Sequence, residues 1–142
     1  NTRYFYESFA SVDDLLGAAH DQAHERLTIT LIERSEGLAT QDELIREGIQ
    51  TVLEFVRDDP RRAAILFTEG QSNPTLVARR RAAVGELASL ARMTAGPQAE
   101  EVAPMFAGAM SELVIAWTRG ELSGTAREVA DRAAGRIGRL FD

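Results

Sequence analysis

The stretch Thr2-Arg3-Tyr4-Phe5-Tyr6-Glu7-Ser8-Phe9, followed by Ser11-Val12-Asp13-Asp14-Leu15-Leu16, decides how the rest of the chain reads. It sets a run of aromatics at 4–6, adds Phe9, and then opens a new amphipathic helix. Ser11 and Asp14 have the Ser-x-x-acid spacing of a helix start. There a serine oxygen caps free N–H groups and an acid sits at the positive end of the dipole. One helix therefore ends near Ser8, the chain turns, and another begins.

Downstream the same punctuation recurs. A long helix is expected over 12–36, with Leu15, Ala19, Ala23, Leu27 and Leu31 as an apolar stripe and Gly37 as its stop. Thr40 and Glu43 cap the next, which carries Ile45, Ile49, Val52, Leu53 and Val56 to about Arg57. Asp59-Pro60 opens a short helix through Phe67, since proline at the first helical position loses no needed N–H. Asn73-Pro74 repeats that start for a helix through Leu76, Val77, Val84, Leu87 and Leu90 to about Thr94. After Gly96-Pro97 a helix reaches Trp117 or Arg119. Gly120 ends it, and Thr125 with Glu128 caps a last helix that runs to the chain end. No alternating stretch of strand length and no hairpin dipeptide is present. The expected fold is all-α, six helices behind the opening segment.

Composition sets outer limits. The chain has 142 residues, enough for one buried core, and 44% hydrophobic content with few aromatics. It holds no cysteine, so no disulfide framework. No apolar run approaches the roughly 20 residues of a membrane span, and we expect no membrane association and a cytoplasmic setting. The net charge of −6 argues against a nucleic-acid surface spread over this part of the molecule, while leaving room for a local one. All 16 basic residues are arginine, which reads as a coding bias.

The aromatic-Tyr-x-x-Phe segment that runs into Ser-x-x-x-Leu-Leu resembles the exit from the recognition helix of TetR-family transcriptional regulators. The likeness covers residues 2–16, and the helix order of the remainder is compatible with it. The resemblance implies that Asn1 falls inside that recognition helix. Residues 1–16 would then be the C-terminal end of a helix-turn-helix DNA-binding domain, and 17–142 a ligand-binding and dimerisation domain. It implies DNA contact by Thr2, Arg3, Tyr4, Tyr6 and Ser8. Arg3 would read a base edge, and Tyr6 and Ser8 would hold phosphates. Plain packing is the alternative for Tyr4 and Tyr6. Val12 stands where many members carry a phosphate-binding lysine, so one contact is lost or supplied elsewhere.

Phe55, Phe67, Met93, Phe106, Met110 and Trp117 come from different helices and could line one small-molecule pocket, although such residues at helical spacing more often form core. The polar stretch 68–73 is either an orienting wall of that pocket or a solvated loop. The helix over 102–117 is apolar on two faces. One bears Val102, Phe106, Ala109, Leu113 and Trp117, the other Ala103, Ala107, Met110 and Val114. The last helix offers Ala130, Ala133, Ile137 and Phe141. With Val102, Phe106, Ala109 and Leu113 these suit a two-fold homodimer seam, as the resemblance also implies. A buried central helix in a monomer is the alternative.

His20 and His24 stand at i,i+4, a spacing that can share a metal, but no third ligand is indicated beyond nearby carboxylates such as Asp13 or Asp21, and Asp21 lies off that face. A polar face beside the apolar stripe is the simpler reading. Arg79-Arg80-Arg81 cannot converge on one anion, because successive helical residues point about 100° apart. No nucleophile elbow, phosphate loop or histidine–nucleophile pair is present, so neither an enzyme nor a cofactor is expected. The expected function is a ligand-responsive transcriptional regulator, a homodimeric repressor released from operator DNA by a small apolar or aromatic effector. The alternatives are a helical dimerisation module without a ligand, and a metal-responsive regulator using the two histidines.

Overall fold

The computed structural model describes residues 11–69, 72–97, 100–137 and 139. Among them the chain is all-helical, with no strand. The elements are α1 (Val12–Ser35), α2 (Gln41–Asp58), α3 (Pro60–Ala63) with a π-helical continuation (Ala64–Thr68), α4 (Pro74–Ala95), α5 (Val102–Thr118) and α6 (Ala126–Ile137).

The caps that the sequence promised fix these boundaries. Ser11 Oγ accepts from the Asp14 amide at 3.1 Å. Thr40 and Glu43 close a reciprocal capping box, and Thr125 and Glu128 do the same before α6. Asp59 and Asn73 each cap a helix that opens on proline. Each such cap is worth about 1 kcal/mol because it satisfies amides that the helix cannot. Gly37 follows α1 at φ 80°, a left-handed conformation open to glycine without steric cost.

The core forms around α2. Ile49, Val52, Leu53, Phe55 and Val56 are buried, together with Thr51. Around them lie Leu27 of α1, Ala63 and Leu66 of the short segment, Met110 and Val114 of α5, and Val129, Ala130, Ala134 and Ile137 of α6. The small residues of α6 allow it to lie close against α2, its main neighbour. The sequence offered one apolar face for α2, whereas burial of Thr51 and Phe55 as well makes it the central helix.

α1 differs from its expected stripe. Of Leu15, Ala19, Ala23, Leu27 and Leu31 only Leu27 is buried; Gly17 and His20 are buried instead. A strict i+4 series rotates about 40° per step around a 3.6-residue helix and cannot keep one face. The inward seam alternates threes and fours through Gly17, His20, His24, Leu27, Leu31 and Arg34, all at least half-buried.

α1 is one continuous helix across residue 16, so the expected domain boundary falls inside a single rod. No helix among the described residues is long and apolar enough to cross a membrane. Leu53 is 0% exposed at the centre of this arrangement. Leu53→Ala should lower unfolding free energy by about 2–5 kcal/mol in urea titration, the range for a core cavity that cannot collapse.

Candidate functional site

Two recesses flank the segment 60–68. The larger is an open cavity of about 420 Å³ lined by Val56, Arg57, Pro60, Ala63, Ala64, Thr68, Trp117 and Thr118. Its walls come from the end of α2, the short segment and the end of α5. The residues are mostly aliphatic or small, with Trp117 as the one ring. Trp117 is anchored because its indole Nε1 donates to the Gly124 carbonyl oxygen at 3.1 Å. A volume of this size falls within the roughly 300–1,000 Å³ of small-molecule sites.

Local sequence explains the shape of this wall. Pro60 starts the turn and Asp59 caps it through the Arg61 amide at 3.1 Å. From Ala64 the backbone widens into a π-helical turn, a feature often associated with ligand sites. That turn packs against α1, α4 and α5 at once. The sequence indicated a short helix here but gave no sign of the widened turn.

The smaller recess, about 200 Å³, lies between α1, α2 and α3. It is lined by Arg26, Thr30 and Arg34 from α1, Thr51, Glu54, Phe55 and Asp58 from α2, and Arg62. Arg34 binds Glu54 at 2.5 Å and Glu47 at 2.7 Å, tying α1 to α2. The Glu54 hydrogen bond, opposed by burial and aided by the charges of both acids, holds the Arg34 guanidinium above its usual pKa. Burial pushes Glu54 up, but hydrogen bonds from Gln50 and Arg34 outweigh it and leave the carboxyl below its ordinary value. Arg62 lies over the Phe55 ring at 4.0 Å and donates to the Phe55 carbonyl oxygen at 3.0 Å.

The arginine triplet diverges. Arg79 pairs with Asp21 of α1. Arg80 donates to Ser111 Oγ at 2.7 Å on α5, and Arg81 is exposed. Arg79 lies so close to α1 that a Cβ at Gly17 would meet its guanidinium at 2.9 Å.

His20 and His24 are stacked, with ring centroids 6.1 Å apart. Among the described residues no group of three potential metal ligands forms. His20 is 3% exposed and sits on the packed seam, not on a polar face as its neighbourhood suggested. Burial depresses its pKa and outweighs the Asp21 hydrogen bond; His24 and Arg79 push the same way as burial. The folded pKa therefore lies below the unfolded one. The contribution is fully present above the unfolded value, about 6.5, and is lost as pH falls through the folded one. The thermal unfolding midpoint of the wild type should fall on acidification below about pH 6.5, and His20→Gln should flatten that dependence.

The expected ligand residues divide among several places. Trp117 lines the large cavity and Phe55 the small one. Met110 belongs to the core cluster, and Phe67 and Phe106 pack against that cluster. Met93 is 83% exposed on α4 and lies outside that cluster. Val56, Ala63, Ala64 and Thr118, which line the large cavity, were missed because a search for rings and sulfur passes over small aliphatic walls. Of the polar stretch 68–73, Thr68 lines the cavity, and 70 and 71 lie outside the described residues.

The expected dimer residues also divide. Val102 and Ala109 are exposed on α5, while Phe106, Leu113 and Ala133 are half-buried. Ala130 and Ile137 are buried within the single chain, in the core cluster around α2. Intramolecular packing of α6 thus takes up Ala130, one of the small residues expected to admit a second copy, and leaves Ala133 half-buried. Thr2, Arg3, Tyr4, Tyr6, Ser8 and Phe141 lie outside the described residues.

No protein-family model matches the chain, and neither a curated protein nor a solved structure shows significant similarity to it.

Proposed function

We propose that this chain is the regulatory part of a homodimeric, ligand-responsive DNA-binding regulator of the TetR type, acting as a repressor. The observation that carries the reading is the position of the π-helical turn 64–68. On one side it walls the larger cavity through Ala64 and Thr68; on another it packs against α1. α1 follows directly on the aromatic segment that resembles a recognition-helix exit.

A ligand that enters the cavity presses on this turn, and the turn passes the displacement to α1. In a dimer, recognition helices read successive major grooves roughly 34–36 Å apart, so a tilt of α1 spoils the match. About 2.7 kcal/mol of differential affinity suffices for about a 100-fold change in operator binding. A recess of this volume gives a ligand room that a ligand-free scaffold has no need to keep. Val102, Met105 and Ala109 form an exposed apolar strip on α5 that suits the second copy. The effector would be small and apolar or aromatic, matching the aliphatic walls and Trp117.

Trp117 is the only tryptophan, so its emission reports cavity occupancy directly. Titration with the neutral probe N-phenyl-1-naphthylamine should quench it, and Ala64→Phe, which fills the cavity, should weaken that quenching about tenfold or more. The full-length regulator, helix-turn-helix included, should also enrich palindromic duplexes from a random DNA library and release them on probe binding. Enrichment without release would remove the switch, and no enrichment would remove the DNA-binding reading.

A further inference from the structure

The cleft between α1, α2 and α3 has a chemistry unlike that of the apolar cavity. Arg34 is already paired with Glu47 and Glu54, and Asp58 with Arg57 at 3.0 Å. Arg26 and Arg62 also line the cleft, yet no carboxylate among the described residues pairs with either. Arg62 is nevertheless fixed at two points. Its guanidinium lies over the Phe55 ring, and Nη1 donates to the Phe55 carbonyl oxygen. A stacked guanidinium keeps its remaining N–H groups in one plane, an arrangement that suits a carboxylate edge.

Thr51 supplies an independent observation. It is 1% exposed, it lines the same cleft, and its hydroxyl oxygen has no hydrogen-bond partner among the described residues. A buried hydroxyl left unpaired costs about 1–3 kcal/mol and requires an explanation. Thr30 cannot serve it as donor, because its own hydroxyl donates to the Arg26 carbonyl oxygen at 2.8 Å.

We propose that this cleft is a binding site for a small monocarboxylate, held between the guanidinium groups of Arg26 and Arg62 with the Thr51 hydroxyl as a further donor. A single excess negative charge fits because two carboxylates, Glu54 and Asp58, also line the walls and oppose a dianion. The volume, about 200 Å³, lies below the range of drug-sized ligands and sets the size of the occupant. The Phe55 side chain in the wall suits an aromatic ring. The site goes beyond the regulatory reading and shares no lining residue with the apolar cavity.

The test is saturation-transfer NMR on the full chain at constant ionic strength, with benzoate as probe and neutral benzamide as its uncharged match. Benzoate should receive saturation and benzamide should not. Arg26→Gln combined with Arg62→Gln should weaken benzoate binding about tenfold or more, the worth of a charge-assisted hydrogen bond. Thr51→Val keeps the side-chain shape and removes an unpaired hydroxyl, so it should fold normally and still bind benzoate more weakly. Absence of benzoate transfer, equal transfer to benzamide, full affinity in either variant, or displacement by equimolar inorganic phosphate would each overturn the proposal. Trp117 quenching by the naphthylamine should be unchanged in both variants, which separates failure here from failure of the apolar cavity.

Discussion

Burial of α2 is the constraint on which the remaining structure depends. Ile49, Leu53 and Val56 are at most 1% exposed, and helices on several sides are needed to exclude water from them. Each such side chain contributes about 1.5–3 kcal/mol through removal of apolar surface from water. α1, α5, α6 and the short segment take their positions from this one helix. The C-terminal end of α2 follows the same logic in reverse. There the polar residues Glu54, Arg57 and Asp58 reach the surface, and both recesses open beside them.

The segment 60–68 is where the packing borders both recesses. Arg62 faces the polar cleft, whereas Pro60, Ala63, Ala64 and Thr68 face the apolar cavity. An occupant on either side therefore bears on the same short element. A ligand shifts an equilibrium only by its differential affinity for the two states. A short turn held between larger helices is a suitable place for that difference to arise, because its displacement changes contacts with α1, α4 and α5 together. Arg79 adds a second tie from α4 to α1, across Gly17 to Asp21. α1 is thus restrained at its N-terminal half by α4, and in its C-terminal half by Arg34 through Glu47 and Glu54.

Much of the architecture was legible in the sequence because it is written in local chemistry. Ser11, Thr40, Asp59, Asn73 and Thr125 act within three residues of themselves, so their spacing alone fixed where helices start. Long-range choices were less visible. Nothing local distinguishes an α6 that packs on its own core from one that meets a partner, and Ala130 and Ile137 proved to be core. His20 reads as polar, yet its position on a three-four seam, not its residue type, decided its burial. Of the residues expected to line a pocket, Trp117 alone lines the larger recess, and the small residues that shape that recess carry no sequence signature. The widened turn at 64–68 likewise depends on tertiary packing more than on any residue in it.

Mechanical transmission from cavity to α1 is best tested by the distance between the two copies of that helix. The chain has no cysteine, so Ala18→Cys, at an exposed site on α1, gives one spin label per protomer. Double electron–electron resonance on the dimer, with and without N-phenyl-1-naphthylamine, reads the separation. The account predicts a distribution displaced by several ångström on probe binding, with the displacement abolished by Ala64→Phe. An unchanged distribution at a probe concentration that fully quenches Trp117 would contradict it.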